Sequence, residues 1–272
     1  MGELGTRRRL ARFADGATGR SLVIALSHGM LMGRVPGLAG VEERVGLVER
    51  AVRAGVTGLI LSPGQLRECA DLLAQPGGPG VWLTVGWTNL WRSDEAADLA
   101  HDYADGTYRE VVDPKTAVAL GADGCHVYLL LGATDPQVEA DDVARVATYV
   151  QRAHEYGMPV LVEAMVRGPR AAGAERAPGH VAFAARIAAE VGADMLKLEY
   201  PGSADALAGV VADVAVPVLV LGGSKRPFDE VRAEATDVVR AGAQGVVYGR
   251  NVFQADDPDR ALADLVEVVL DN

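Results

Sequence analysis

Short runs of aliphatic residues alternate along the chain with longer segments whose apolar residues recur at helical spacing. The runs are bounded by Gly and Pro, and most are apolar at successive positions. Buried parallel strands have this pattern, because helices cover one face of the sheet and the core covers the other. Eight strands are predicted on this basis: Ser21–His28, Val56–Leu61, Val81–Trp87, Gly124–Leu131, Pro159–Val166, Asp194–Tyr200, Val216–Leu221 and Gly245–Tyr248.

Amphipathic helices are predicted between these strands. Several end at a glycine that can close a helix in the left-handed conformation, for example Gly55 and Gly157. The predicted helices include Val41–Ala54, Pro114–Leu120, Ala140–Tyr156, Val181–Val191, Phe228–Ala241 and Pro258–Leu270. Eight alternating units over about 250 residues predict an α/β fold, a (β/α)8 TIM barrel with a single domain. The domain is expected to cover residues 1–272, with 1–20 as an N-terminal helical extension, and a doubly wound open sheet is the alternative.

Two segments interrupt the alternation. Residues Arg92–Val112 are acidic, contain Tyr103 and Tyr108, and are longer than a usual loop between strand and helix. In a barrel such a loop lies over the mouth, so either a lid or a longer rim loop is expected. Gly168–Gly179 is rich in Gly, Ala, Pro and Arg and is predicted to be a mobile loop.

The composition indicates an ordered globular protein. The chain has 272 residues, of which 49% are hydrophobic and 23% charged, and its formal net charge is −11. This acidic balance argues against a nucleic-acid partner, since clustered Lys and Arg hold phosphate backbones. No segment has the roughly 18 apolar residues of a membrane-spanning helix or the pattern of a secretory signal. An acidic cytoplasmic enzyme without a membrane partner is therefore expected.

Lys197 is the most unusual residue of the sequence. The chain has three lysines among 26 basic residues, and Lys197 falls inside the sixth predicted strand. Burial favours the neutral amine, a nucleophile that can condense with a carbonyl to form an iminium. An iminium is an electron sink for cleaving or forming a carbon–carbon bond, so neither a metal nor another cofactor is expected. The alternative is an ion pair with Glu199 on the same strand face, although arginine would suit that pair better.

Two glycine-containing loops follow the seventh and eighth predicted strands. Barrels commonly bind phosphate with these loops, because glycine lets backbone N–H groups approach the anion. Arg250 would add a bidentate contact and Ser224 a hydroxyl, with ordinary turns as the alternative. The residues predicted to bind phosphate are Gly222, Gly223, Ser224, Gly249 and Arg250.

Seven motifs occur in order between residues 23 and 269. They are Ser-His-Gly at 27–29, Gly-Ala-Asp-Gly at 121–124, His-Glu-Tyr-Gly-Met-Pro-Val-Leu-Val-Glu at 154–163, Arg-Gly at 167–168, Gly-Ala-Asp-Met-Leu-Lys at 192–197, Gly-Gly-Ser-Lys at 222–225 and Gly-Arg-Asn-Val-Phe-Gln at 249–254. In these motifs the chain resembles the archaeal-type class I fructose-bisphosphate aldolases. Their relatives include aminodideoxyheptulosonate synthases and a thiolase that acts on a phosphorylated signal compound. The resemblance implies a homo-oligomeric barrel, with Lys197 as the Schiff-base lysine and phosphate at the two glycine loops.

Two positions depart from the pattern of that family. Ser27 stands where the family usually has Asp, so a hydroxyl replaces a carboxylate near the iminium nitrogen, and Ser27 is expected to contact the substrate. The fourth-strand tyrosine of the sugar aldolases falls at Leu130. Tyr128, two residues earlier on the same strand face, is expected to act as the general acid and base instead. These departures argue against fructose bisphosphate and favour a specialised phosphorylated ketose or a biosynthetic condensation.

Other candidate residues have two interpretations each. Glu163, on the fifth predicted strand, is expected to relay protons or hold Lys197, with a structural salt bridge as the alternative. His28 either hydrogen-bonds a substrate oxygen or braces the first loop. The three tryptophans either wall the pocket or pack in the core, and they are Trp82, Trp87 and Trp91.

The sequence as a whole predicts a class I aldolase in which Lys197 attacks the ketone of a phosphorylated small-molecule donor. Tyr128 or Glu163 relays protons in this hypothesis. Three alternatives stay open: a phosphosugar isomerase or epimerase, a thiolase-like enzyme, and a non-catalytic barrel that only binds phosphosugars.

Overall fold

Eight parallel strands close into a barrel in the structure, a computed structural model that describes residues 3–91 and 107–271. The strands in these residues are β1 (Ser21–Ala25), β2 (Gly58–Leu61), β3 (Gly80–Thr84), β4 (Gly86–Thr88), β5 (Tyr108–Glu110), β6 (Gly124–Leu131), β7 (Val160–Val166), β8 (Met195–Leu198), β9 (Val218–Leu221) and β10 (Gly245–Tyr248). Around the barrel the order is β1, β2, β3, β6, β7, β8, β9 and β10, and β10 pairs with β1. The predicted (β/α)8 barrel is therefore confirmed, and the open sheet is wrong.

Helices surround the barrel. Those of the described residues are α1 (Glu3–Leu10), α2 (His28–Met32), α3 (Val41–Ala54), α4 (Pro63–Glu68), α5 (Ala70–Leu73), α6 (Pro114–Ala119), α7 (Pro136–Glu155), α8 (Pro178–Glu190), α9 (Ala204–Ala212), α10 (Phe228–Arg240), α11 (Arg250–Phe253) and α12 (Pro258–Val269), with a 3₁₀ turn at Ala11–Phe13. None of these helices is long and apolar enough to cross a membrane. The N-terminal segment is helical from Glu3 to Phe13, and the boundary expected at residue 20 stays a prediction.

Local signals explain where the helices begin and end. α3 ends at Gly55, whose φ of 81° is the left-handed conformation that closes a helix. α7 begins at Pro136, four residues before the predicted start, because the Asp135 carboxylate accepts a hydrogen bond from the Gln137 N–H and caps the first turn. The apolar periodicity alone did not reveal this polar first turn.

The first, third and sixth predicted strands were too long at their carboxyl ends, and the sixth, β8, stops at Leu198. β1 stops at Ala25, and His28 already begins α2. The third predicted strand divides, because the chain leaves the barrel after Thr84 and β4 pairs antiparallel with β5. A side chain at Gly86 would collide with the ring of Tyr108, so this small sheet depends on glycine there.

The structure tests only part of the predicted rim segment Arg92–Val112. Residues 92–106, which include Tyr103, lie outside the described residues, and the proposed lid stays a prediction. Tyr108 lies inside them and is buried. The mobility expected for Gly168–Gly179 also stays a prediction.

An aromatic stack fills the end of the barrel that faces the amino termini of the strands. Phe13 stacks on Trp82 with ring centroids 3.9 Å apart, and both side chains are fully buried. A side chain at Gly80 would approach the Phe13 ring to 2.7 Å, so glycine leaves room for the stack. Trp82 is therefore a core residue and does not wall the pocket.

Candidate active site

A cavity of about 360 Å³ lies at the carboxyl-terminal ends of the barrel strands. This volume falls in the range of about 300–1,000 Å³ that is typical of small-molecule sites. The cavity brings together eight of the ten predicted site residues: Ser27, His28, Tyr128, Glu163, Lys197, Gly223, Ser224 and Arg250. Trp91 also lines it, whereas Gly222 and Gly249 do not.

Lys197 forms an ion pair with Glu163 inside the barrel. The two residues are register partners on β8 and β7, so their side chains share a face. Lys197 Nζ donates a hydrogen bond to Glu163 Oε2 at 2.6 Å, and both residues are buried. Glu199, the alternative partner, lies beyond the end of β8 and pairs with arginines instead. The structure therefore replaces the Lys197–Glu199 pair with a Lys197–Glu163 pair.

Glu163 is a carboxylate at neutral pH. Burial opposes its ionisation, but the charge of Lys197 and the hydrogen bond from His126 outweigh burial and lower the pKa of Glu163 to about 2. An anion at 2.6 Å stabilises positive charge on Lys197 Nζ. The sequence argument considered burial alone, but the environment of Lys197 also includes the Glu163 carboxylate. A proton must leave Nζ before the amine can attack a carbonyl.

A line of hydrogen bonds continues from Glu163 across the inside of the barrel. His126 Nε2 lies 2.8 Å from Glu163 Oε2, and His126 Nδ1 lies 3.2 Å from Thr84 Oγ1. Thr84 Oγ1 is hydrogen-bonded in turn to Ser27 Oγ at 2.8 Å. Burial and the charge of Lys197 lower the pKa of His126 despite its bond to Glu163, so the ring is neutral.

His126 and Thr84 were not among the predicted site residues. His126 shares its strand face with Tyr128, two residues on, which was the available signal. Thr84 is a polar residue in an otherwise apolar buried run, and this pattern alone did not indicate which way its side chain points.

Tyr128 lies in an aromatic group above the ion pair. Its ring centroid is 5.1 Å from that of Trp91 and 4.9 Å from that of His126. Burial and the nearby Glu163 carboxylate raise the pKa of Tyr128 well above its usual range, so its hydroxyl stays protonated. Leu130 lines a neighbouring cavity instead, and Tyr128 is thus the fourth-strand tyrosine that faces Lys197's cavity.

His28 is a neutral histidine beside the cavity. Burial and the charges of Lys197 and Arg250 lower its pKa to about 3. Its buried Nδ1 has no hydrogen-bond partner among the described residues. A side chain at Gly249 would approach His28 Cε1 to 2.5 Å. Gly249 therefore makes room for His28, which leaves this ring available to hydrogen-bond a ligand.

The loop after β9 differs in detail from the prediction. The Gly222 N–H donates to Val247 O at 3.2 Å, so it is engaged in the barrel and is not available to an anion. Its carbonyl accepts a hydrogen bond from Asn251 Nδ2 at 2.8 Å. The next residues, Gly223 and Ser224, line the cavity.

Three arginines surround this loop. Arg176 Nη2 would lie 2.6 Å from a side chain added at Gly223, so the guanidinium covers this glycine. Glu199, which is 2% exposed, accepts hydrogen bonds from Arg167 Nη2 at 2.5 Å and Arg176 Nε at 3.1 Å. Burial and the charge of Arg167 lower the pKa of Arg250. The Nε atoms of Arg250 and Arg167 are buried and have no hydrogen-bond partner within the described part of the chain.

Comparisons with known proteins identify the family of the chain and related folds. Residues 21–255 match the DeoC/LacD family aldolases. The chain is 32% identical to the 2-amino-4,5-dihydroxy-6-oxo-7-(phosphonooxy)heptanoate synthase of Streptomyces griseus, over 97% of this chain and 89% of the relative. It is 31% identical to 2-amino-3,7-dideoxy-D-threo-hept-6-ulosonate synthase 1 of Archaeoglobus fulgidus, over 99% and 92%. A solved archaeal fructose-1,6-bisphosphate aldolase, whose catalytic Lys is covalently bound to the carbinolamine intermediate, superposes with a TM-score of 0.79 at 25% identity, covering 97% of this chain and 99% of that one.

Proposed function

Because the chain belongs to the DeoC/LacD aldolase family, we propose that Lys197 is the nucleophile of a class I aldolase reaction on a phosphorylated, ketose-like substrate. The observation that carries the proposal is the position of Lys197 Nζ, which lies at the cavity, 2.6 Å from a buried carboxylate. A lysine in this setting has a buried carboxylate beside it that stabilises a cationic iminium, and a pocket that can hold the carbonyl compound.

The chemistry begins with transfer of a proton from Lys197 Nζ to solvent water. The amine attacks the ketone carbon and forms a C–N bond, and the carbonyl oxygen takes a proton from the Tyr128 hydroxyl, which becomes a phenolate. A proton then moves from the nitrogen of the carbinolamine to its hydroxyl, which leaves as water, and the Glu163 carboxylate stabilises the cationic iminium. Cleavage of the carbon–carbon bond sends its electron pair into the iminium, while the Tyr128 phenolate takes the proton of the departing hydroxyl. The remaining enamine takes a proton at carbon from solvent, and water hydrolyses the iminium to release the ketone. Synthesis runs these steps in reverse.

The cavity suits a phosphorylated substrate. In a chain with a formal net charge of −11, Arg250, Arg176 and Arg167 are brought together beside Gly223 and Ser224. Arginine binds phosphate through paired N–H donors. Arg250 Nε and Arg167 Nε offer buried donors without a protein partner in the described residues. We assign phosphate binding to Gly223, Ser224 and Arg250, with Arg176 added, and substrate contact to His28.

The substrate is a specialised ketose and not fructose bisphosphate. Ser27 supports this, because its hydroxyl stands where a carboxylate is expected in the sugar aldolases. The printed names of two relatives, both synthases of seven-carbon amino compounds, also favour a biosynthetic condensation. The resemblance further supports a homo-oligomer, and light scattering of the purified protein tests that assembly.

Product analysis tests the proposed function. The protein is incubated with dihydroxyacetone phosphate and a panel of aldehydes, and products are identified by mass spectrometry. We expect a new carbon–carbon bonded phosphorylated product with the wild-type protein and none with Lys197→Arg, which keeps the charge beside Glu163 but has no nucleophilic amine. Interconversion of phosphosugars that persists in Lys197→Arg would contradict the proposal and favour an isomerase. Binding of the phosphate without any product would favour the non-catalytic alternative.

A further inference from the structure

Three buried polar side chains behind the Glu163–Lys197 pair take no part in the steps described above. His126, Thr84 and Ser27 are 1%, 0% and 4% exposed. They come from β6, β3 and the loop after β1, and their polar atoms form one continuous line of contacts of 2.8, 3.2 and 2.8 Å that ends at Glu163 Oε2. Buried polar groups are costly unless they are paired, so a line of this kind needs an explanation.

The donors and acceptors of this line have one consistent assignment. A neutral His126 has one ring N–H, and the nitrogen that faces a carboxylate must carry it, because a bare nitrogen would repel the carboxylate oxygen. Nε2–H therefore donates to Glu163, and Nδ1 is an acceptor for which the Thr84 hydroxyl is the donor. Thr84 Oγ1 is also hydrogen-bonded to Ser27 Oγ, at 2.8 Å.

We propose that His126 is a positioning residue of this enzyme. Its Nε2–H fixes Glu163 Oε2 against Lys197 Nζ, and the Thr84 hydroxyl, with Ser27 behind it, holds the imidazole in the tautomer that can do so. The inference rests on the proposed function, because it assumes that Lys197 is the nucleophile. It assigns to His126, Thr84 and Ser27 a role in the reaction that does not require contact with substrate.

The arrangement matters at the step that forms the iminium, in which the lysine nitrogen is cationic. Before attack Nζ must lose a proton, and in the iminium the same nitrogen is cationic again. A carboxylate held at 2.6 Å stabilises that cation only if it stays ionised and aligned. His126 contributes one of the two hydrogen bonds to Oε2. Without it the carboxylate can rotate away, and the iminium loses part of its stabilisation.

Rapid-quench trapping of the iminium tests the proposal. Protein and dihydroxyacetone phosphate are mixed, quenched with borohydride at set times, and the adduct on Lys197 is quantified by mass spectrometry over a series of substrate concentrations. His126→Leu removes the donor, and His126→Gln keeps an amide N–H as its matched control. Thr84→Val removes the hydroxyl at nearly constant volume, and Thr84→Ser keeps it. Thermal unfolding confirms that each variant is folded.

We expect the maximal rate of adduct formation to fall about ten- to a hundredfold in His126→Leu, the size of the loss of a hydrogen bond to a charged group. Thr84→Val should fall severalfold, while His126→Gln and Thr84→Ser stay near wild type. The half-saturating substrate concentration should change by less than about twofold, because the arginines that bind phosphate are untouched. If His126→Leu does not fold, His126→Gln and Thr84→Val decide the question.

Two results would overturn the inference. One is wild-type trapping rates in folded Thr84→Val and His126→Leu. The other is a rate in His126→Gln as low as in His126→Leu, since a purely structural histidine would be disturbed by both. Absence of any Lys197 adduct in the wild-type protein would instead contradict the proposed function itself, so the two failures are distinguishable.

Discussion

Lys197 and Glu163 each depend on the other for their burial. Both side chains are less than 10% exposed, and their ion pair offsets part of the cost of removing two charges from water. Removal of one partner leaves an uncompensated charge in the barrel. The pair that we assign to catalysis is therefore also a determinant of stability, and variants must be chosen to separate the two effects.

Substitution of Lys197 separates them. Lys197→Met should abolish iminium formation, lower activity by about a thousandfold or more, and destabilise the fold by about 3–5 kcal/mol because Glu163 loses its partner. Lys197→Arg should lose activity equally and keep most of the stability. Activity assays and urea unfolding of both variants measure the difference. Appreciable aldolase activity in either variant would count against Lys197 as the nucleophile.

Glu163 should make stability depend on pH in the acid range. Its pKa is lowered in the folded protein from 4.5 to about 2, so its ionisation stabilises the fold fully above about pH 4.5. That contribution is lost as the pH falls from 4.5 toward 2. Glu163→Gln should therefore show a flatter dependence of unfolding free energy on pH than the wild type in this range, measured by urea unfolding. Parallel curves would contradict the assignment.

The sequence revealed individual site residues better than their partners. Lys197 stood out because a lysine is costly in an apolar strand, and it does lie at the cavity. Its partner Glu163 is 34 residues away, and only the register of β7 and β8 makes them neighbours. His126 and Thr84 were missed for the same reason, because hydrogen bonds across a barrel depend on closure and side-chain direction and not on sequence spacing.

At the scale of elements, the site is assembled from loops that follow different strands. Arg167 and Arg176 follow β7, Gly223 follows β9, and Arg250 follows β10. Glu199, just beyond β8, holds the first two arginines by their guanidinium groups. Loops on a rigid barrel can bring cations together in this way without disturbing the core.

Removal of these arginines should weaken substrate binding more than turnover. We expect Arg250→Ala and Arg176→Ala to raise KM for a phosphorylated donor about ten- to a hundredfold, the size of a lost charge-assisted hydrogen bond. Arg186→Ala, on the exposed face of α8 where Arg186 pairs with Glu190, is the matched control and should leave KM unchanged. Steady-state kinetics supply the comparison. An unchanged KM in Arg250→Ala would place the phosphate elsewhere.

The elements themselves were largely predictable, with errors at their ends. All eight barrel strands and the main helices follow from apolar periodicity and from glycines after helices. The β4–β5 sheet was missed, because a three-residue strand has too few positions for a period and its partner lies beyond a long insertion. The carboxyl ends of strands were overextended, since buried loop residues such as Leu26 are as apolar as those of a strand.

The molecule as a whole has one end for stability and one for chemistry. The stack of Phe13 on Trp82 closes the barrel at the amino ends of its strands, and the cavity lies at the opposite ends. This division is usual in barrels, where loops can vary at the active end without loss of the fold. Phe13 belongs to the N-terminal segment, so this segment packs against the amino ends of the strands.

Removal of the Phe13 ring should therefore affect stability alone. Phe13→Ala leaves a cavity beside Trp82, and we expect a loss of about 3–5 kcal/mol in the free energy of unfolding, as for other buried aromatic truncations. Iminium trapping under native conditions should be unaffected. Urea unfolding and the trapping assay measure the two quantities on one sample. A large loss of trapping in folded Phe13→Ala would contradict the division between the two ends.

The covalent adduct itself tests the central claim most directly. The protein is incubated with dihydroxyacetone phosphate, reduced with borohydride, digested and mapped by mass spectrometry. Only three lysines are present, so the exposed Lys115 and Lys225 serve as internal controls in the same digest. We predict a stoichiometric reduced adduct on Lys197 and none on the other two. An unmodified Lys197, or equal labelling of all three lysines, would contradict the account.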